Sequence, residues 1–327
     1  MSGPFVSVVI PVRDRAELLV RLLEALEGQT YRAERFEAIV VDNRSTDGSG
    51  DAARSFAESS SMTVRVIDHP DGGAVAARNR GAADAAGDVL AFTDSDCRPA
   101  AGWIEAGVRA MAHADLAHGE TRADPDLPRG PLDRTVEGGF ATGLYDTCNL
   151  FIRAEAFRAL GGFDAGFARR IRLPRTRAQL EYGFGEDTDL AWRAVRSGCR
   201  AVAAPGALVH HHVFPPSVRD AVRRTWLLGA FPSLVRAVPE LRGTLLRSSV
   251  FIGDERPWFY LAVIAIIASR RRRALAAAVA PYLLQRFRSA HGTRAQRVRD
   301  LPALAGLDAL ATVALAVGSA ASRTPVL

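Results

Sequence analysis

Apolar positions over the first hundred residues switch repeatedly between two periods. Val6, Val8, Val9 and Ile10 form a short β-branched run stopped by Pro11, and Leu18, Leu19, Leu22, Leu23 and Leu26 then recur at helical spacing. Strand-like runs return at residues 38–41, 64–67 and 89–92, each followed by a plausible helix. This alternation predicts an α/β fold: a Rossmann-like, mostly parallel sheet with helices on both faces. In such sheets ligands bind beyond the carboxyl ends of the strands. The residues there are Pro11, Val12 and Arg13, then Asp42 and Asn43, His69 and Pro70, and finally Asp94, Ser95 and Asp96.

Beyond Gly119 the pattern loosens. A Pro/Asp-rich stretch at 121–131 leads to an apolar run at 148–152; a helix through Trp192 and Val195 stops at Gly198, and 202–209 reads as another strand. From Pro215 onward no strand pattern is visible, and the chain becomes arginine-rich with three apolar stretches. We therefore expect an α/β domain over 1–214 and a basic, hydrophobic helical region over 215–327.

Charge sharpens that division. All 42 basic residues are arginine, a bias that suits a GC-rich coding sequence better than nucleic-acid binding. Residues 1–214 carry 25 arginines against 30 acidic residues, a net of −5, whereas 215–327 carry 17 against 6, a net of +11. A net-acidic front has the balance expected of a metal or sugar handler, and the basic tail that of a segment meeting an anionic surface. Cys97, Cys148 and Cys199 have no C-x-x-C spacing, which suggests neither a zinc site nor a disulfide framework and makes a reducing cytoplasm the default. The apolar run at 5–10 lacks a basic flank or cleavage pattern and reads as a first strand rather than a signal peptide.

Asp94-Ser95-Asp96 sets two carboxylates one residue apart at a strand end, where hard oxygen ligands suit Mg²⁺ or Mn²⁺ on a diphosphate. By itself this pattern also suits an ordinary turn. Asp47-Gly48 reads equally as a turn and helix start, and Glu186-Asp187 as acids at a helix N-terminus. Gly72-Gly73 lacks the spacing of a dinucleotide fingerprint and reads as a flexible loop, which counts against a Rossmann dehydrogenase. The absence of lysine counts against nucleotidyl transfer to a sugar phosphate.

Five blocks in fixed order change the weighting. They are residues 6–11 (VSVVIP), 40–48 (VVDNRSTDG), 77–96 (from ARNRG to FTDSD), 161–164 (GGFD) and 185–193 (GEDTDLAWR). Over about residues 5–212 the chain resembles the inverting family 2 glycosyltransferases of GT-A fold. The resemblance implies that Asp42 meets the nucleobase, that Asp94 and Asp96 meet the ribose and the metal, and that the acidic pair supplies the general base, most often at the position of Asp187, with Glu186 beside it. Pro11, Val12, Arg13, Asn79 and Ser95 complete the expected donor site. A histidine from 210–212 completes the metal shell, with His211 preferred. Here Asn43 and Arg44 stand where the family usually has Asp and Gly. The arginine-rich segment 169–177, set by the resemblance where an acceptor would enter, reads first as a solvated loop in an arginine-biased chain and second as a guanidinium clamp on an acceptor phosphate.

The expected partners are a nucleotide-diphosphate sugar, a saccharide or lipid-linked acceptor and an anionic membrane surface, not nucleic acid. The expected cofactor is Mg²⁺ or Mn²⁺. A catalytically silent nucleotide-sugar-binding scaffold is the competing reading, disfavoured because Asp94, Asp96, Asp187 and a histidine are all present. No Q-x-x-R-W motif occurs, so transfer of one sugar is expected over processive synthesis. In the tail, 258–268 and 274–284 fall short of the ~20 residues that span a bilayer, and 301–317 contains Pro302 and Asp308. Interfacial helices on the cytoplasmic face of the cell membrane are expected.

Overall fold

The computed structural model describes residues 3–70, 72–167, 184–253, 255–268 and 272–327. The segment 169–177, a candidate acceptor clamp, lies outside them. The chain divides into two compact units. The first runs to Asp124, resumes at Val136 and ends at His212; the second comprises Pro125–Thr135 and Val213–Leu327, among others.

In the first unit the alternation becomes β1 (Val6–Val12), α1 (Ala16–Glu27), β2 (Phe36–Asp42), α2 (Ser49–Ser59), β3 (Thr63–Asp68), α3 (Ala74–Ala83) and β4 (Val89–Phe92). β1 and β2 are buried along nearly their whole length, as expected of strands covered on both faces. Leu19, Leu22, Leu23 and Leu26 of α1 are fully buried against one side of the sheet. Gly81 of α3 is needed for the approach on the other side, because a Cβ there would come within 2.6 Å of Val9. The parallel registers pair Val12 with Asp42, Asp42 with Asp68 and Val9 with Phe92, so these strands end at one edge.

The remaining elements are β5 (Cys97–Pro99), α4 (Trp103–Met111), β6 (Leu116–Ala123), β7 (Leu150–Arg153), α5 (Ala154–Ala159), α6 (Glu186–Arg196) and β8 (Ala201–His211). The sheet order is β3-β2-β1-β4-β7-β6-β8-β5. The β3-β2-β1-β4 half is parallel, as expected; β7 runs antiparallel to both β4 and β6, β6 pairs parallel with β8, and β5 antiparallel with β8. The parallel expectation therefore describes the first half, and the second half is mixed. An apolar run such as 148–152 marks a strand without encoding its direction.

The second unit is helical over α7 (Val218–Leu227), α8 (Phe231–Ala237), α9 (Leu241–Thr244), α10 (Arg256–Ala268), α11 (Arg272–Ser289) and α12 (Arg294–Ser322). Thr293 and Gln296 form a capping box at the start of α12, each side chain accepting from the other's backbone N–H. α12 is long and apolar enough to cross a membrane, yet a third of its most apolar window is buried inside the protein. Its Asp308 is 2% exposed, receives the Tyr282 hydroxyl at 2.8 Å and lies 3.1 Å from Arg286 Nε. The buried Arg256 donates to the Asp308 carbonyl at 3.2 Å. An ion-pair cluster thus occupies the middle of what sequence presents as an apolar stretch.

Candidate active site

The turns after β1 and β2 are tied to each other. The Ser45 amide donates to Asp42 Oδ1 at 2.9 Å, and Asp14 accepts from the Thr46 amide at 2.8 Å. Asp47 accepts from the Ala16 amide at 3.0 Å, at the start of α1, and from the Ser49 amide and hydroxyl. Burial opposes its charge, but the Ser49 and Ala16 bonds prevail and hold its carboxyl below the ordinary value. Asp47 therefore acts as a turn and helix-start residue. Asp42 stands at the carboxyl end of β2, partly exposed. Arg44 adopts a φ of 60°, a left-handed conformation that explains why glycine suits this position.

Pro11 and Val12 are buried strand residues, and the Val12 carbonyl accepts from the Asn43 amide at 2.8 Å. Arg13, just past the strand, is only partly buried. Asn79 is committed elsewhere: its Nδ2 donates to the Phe163 carbonyl at 2.8 Å, and its Oδ1 accepts from the Phe163 amide at 2.9 Å. It fastens the 77–81 block to the Gly161-Gly162-Phe163-Asp164 block.

Arg78, one residue earlier on α3, is the electrostatic centre. Its guanidinium is 6% exposed, bonds to Asp94 at 2.6 Å and lies 3.7 Å from Glu186 Oε1. Burial disfavours its charge, but Asp94 and Glu186 outweigh burial and hold it above its ordinary value. Glu186 is itself buried, and burial, aided by the Asp187 charge, pushes it up to about 7. Gly185, at a φ of 75°, turns the chain into α6. Asp187 follows, partly exposed, its Oδ1 receiving the Thr188 amide at 2.8 Å, and burial raises its pKa despite that bond. Thr188 donates to the Leu144 carbonyl at 2.7 Å, anchoring the helix start.

Asp146 joins this group. Burial, with the Asp187 charge adding, pushes it up to about 7. Nothing in its sequence surroundings marks it, whereas Arg78 sits within one of the five blocks. The buried His118 lies nearby, its Nε2 3.3 Å from the Asp146 carbonyl, and burial lowers its pKa to about 4, so the ring is neutral.

Asp96 faces β8. Its Oδ1 lies 3.5 Å from His211 Nε2, while His211 Nδ1 is 2.9 Å from the His212 carbonyl. Because a carbonyl only accepts, Nδ1 donates to it, and Nε2 is the nitrogen turned toward the Asp96 carboxylate. An imidazole oriented by a backbone bond at its other nitrogen and set beside a carboxylate is an arrangement that can hold a cation. Among the described residues, Asp96, Cys97 and His211 have ligand atoms within 4.8 Å of one another. Ser95, between the two acids, is 7% exposed.

Residues 7–147 match the family model described as glycosyl transferase family 2. The chain is 34% identical over 179 residues to the glycosyltransferase AglE of Haloferax volcanii, covering 49% of this chain and 56% of that protein. It is 31% identical over 259 residues to the pre-mycofactocin glycosyltransferase of Mycobacterium tuberculosis, covering 72% of this chain and 49% of that one. The chain thus spans about half the length of these curated relatives. A solved mannosyltransferase from Pyrobaculum calidifontis, in complex with GDP-Man and Mn²⁺, superposes with a TM-score of 0.57 at 18% identity, over 98% of this chain and 87% of that one. The fold is thereby GT-A, and residues 7–147 of this chain are similar to glycosyl transferase family 2.

Proposed function

We propose that this chain transfers one sugar from a nucleotide-diphosphate sugar to an acceptor hydroxyl with inversion at the anomeric carbon. The observation that carries the reading is the Arg78 bridge. By bonding Asp94 and approaching Glu186, it sets the Asp-Ser-Asp turn beside the start of α6, which supports reading the carboxylates of the two segments as parts of one site. The GDP-Man complex of the similar mannosyltransferase supports a nucleotide-sugar donor.

In this reading Asp42 meets the nucleobase and Asp94 the ribose, with the backbone of Pro11 and Val12, Arg13 and Ser95 around them. Asp96 and His211 hold Mg²⁺ or Mn²⁺, which when bound supplies positive charge against the leaving diphosphate. Glu186 is occupied with Arg78 and poorly exposed, which leaves Asp187 as the base. Its carboxylate takes the proton of the acceptor hydroxyl as that oxygen bonds to the anomeric carbon and the bond to the diphosphate breaks. Attack opposite the leaving group inverts the centre.

Asp187→Asn is expected to leave donor binding, followed calorimetrically, nearly unchanged while lowering turnover on the order of a hundredfold or more. An equal loss of donor affinity would instead assign Asp187 to binding. The acceptor we propose is lipid-linked or part of an envelope glycan, reached by the second unit at the cytoplasmic face of the membrane. Supporting this are its net charge of +11 from residue 215 onward and the exposed Trp258, Leu261, Ile264, Ile266 and Ile267 of α10.

A further inference from the structure

The antiparallel pairing of β5 with β8 sets Cys97 directly opposite His211. Opposed residues in such a ladder project from the same face, with Cβ atoms about 4.5–5.5 Å apart. Both side chains are almost wholly buried, at 3% and 4% exposure, and Asp96 immediately precedes Cys97. One oxygen, one nitrogen and one sulfur atom therefore lie within 4.8 Å of one another. We propose that Cys97 is a third protein ligand at the cation site of Asp96 and His211, and that it makes this site capture thiophilic divalent cations, Zn²⁺ foremost. The inference rests on the metal reading of Asp96 and His211 proposed above.

A thiolate, an imidazole and a carboxylate form a donor set that Zn²⁺ takes readily in tetrahedral geometry. Mg²⁺ requires near-octahedral oxygen ligation and gains nothing from sulfur. When Zn²⁺ binds, a zinc–sulfur bond replaces the S–H bond, and the proton leaves to solvent. Mg²⁺ or Mn²⁺, which favours oxygen and imidazole over thiolate, uses only Asp96 and His211. Zn²⁺ would thus compete with Mg²⁺ or Mn²⁺ for Asp96 and His211.

The test is Co²⁺ titration of the full chain, followed by Zn²⁺ competition. The wild type and Cys148→Ser, which removes the other buried thiol in this part of the core, should show a near-ultraviolet sulfur-to-cobalt charge-transfer band, and Cys97→Ser should not. Zn²⁺ affinity of Cys97→Ser should fall on the order of tenfold or more, while Mn²⁺ affinity, measured by electron paramagnetic resonance, is unchanged. Cys97→Ala provides the same comparison if a hydroxyl disturbs the core. A band that survives in Cys97→Ser, or Co²⁺ that binds the wild type in an Asp96-dependent way without any such band, overturns the proposal and leaves the metal reading intact. Co²⁺ and Mn²⁺ binding indifferent to Asp96→Asn removes the metal reading and the proposal with it.

Discussion

Arg44 shows how a single residue can be held against its preference. Its φ of 60° costs an L-residue roughly 1–2 kcal/mol, part of which glycine would forfeit to its own unfolded-state entropy. Arg44→Gly should therefore raise stability by up to about 1 kcal/mol, read as a higher urea midpoint with an unchanged slope. The buried acids act in the opposite direction. Asp146 and Glu186 are each pushed up to about 7 from ordinary values of 3.8 and 4.5. Between those limits the folded chain retains protons that the unfolded chain has released. Their contribution is thus fully present below about pH 4 and is lost as pH rises through about 7. In chelator, the urea midpoint of the wild type should decline across that window. Asp146→Asn should flatten the decline; a slope identical to wild type would show that Asp146 does not titrate there.

Among the elements, α3 and α12 carry more than their apolar content suggests. α3 packs Gly81 onto the sheet and delivers Arg78 and Asn79 to two distant blocks, so one helix aligns the Asp94-Ser95-Asp96 turn, the Gly-Gly-Phe-Asp turn and the start of α6. α12 places Asp308 against Tyr282 and Arg286 of α11 and Arg256 of α10. One carboxylate there faces two guanidinium groups. Asp308→Asn keeps the shape but strips their counter-charge, and breaking a buried pair in this way costs about 3–5 kcal/mol. Helical circular dichroism during thermal unfolding should show a correspondingly lower midpoint. A variant as stable as wild type would mean the cluster is solvated.

At the scale of the whole molecule, the second unit combines positive charge with uncovered apolar side chains. Ile264, Ile266 and Ile267 are 61%, 60% and 82% exposed on α10. Each arginine near an anionic surface contributes about 1 kcal/mol, and inserted apolar area adds to that. The full chain should sediment with anionic liposomes, less so at high salt, and Ile264→Ser with Ile267→Ser should weaken binding without changing the salt dependence. A chain that ignores such liposomes would exclude the peripheral membrane reading.

The sequence by itself determined the strand-helix alternation, the acids at the ends of β2 and β4 and the acidic start of α6, because these depend on local period and on turn chemistry. The resemblance also pointed to Asp96 and to one histidine of 210–212 without fixing which, and the structure sets His211 3.5 Å from Asp96. Only the tertiary structure decided that β7 enters antiparallel, that β5 pairs with β8, that Asn79 is a fastener and that Arg78 joins Asp94 to Glu186. Strand direction leaves no trace in an apolar run. The pairing of a charge with its counter-charge, or of Cys97 with His211, depends on which distant strands become neighbours, and that follows from burying both faces of the sheet at once rather than from any single stretch of chain.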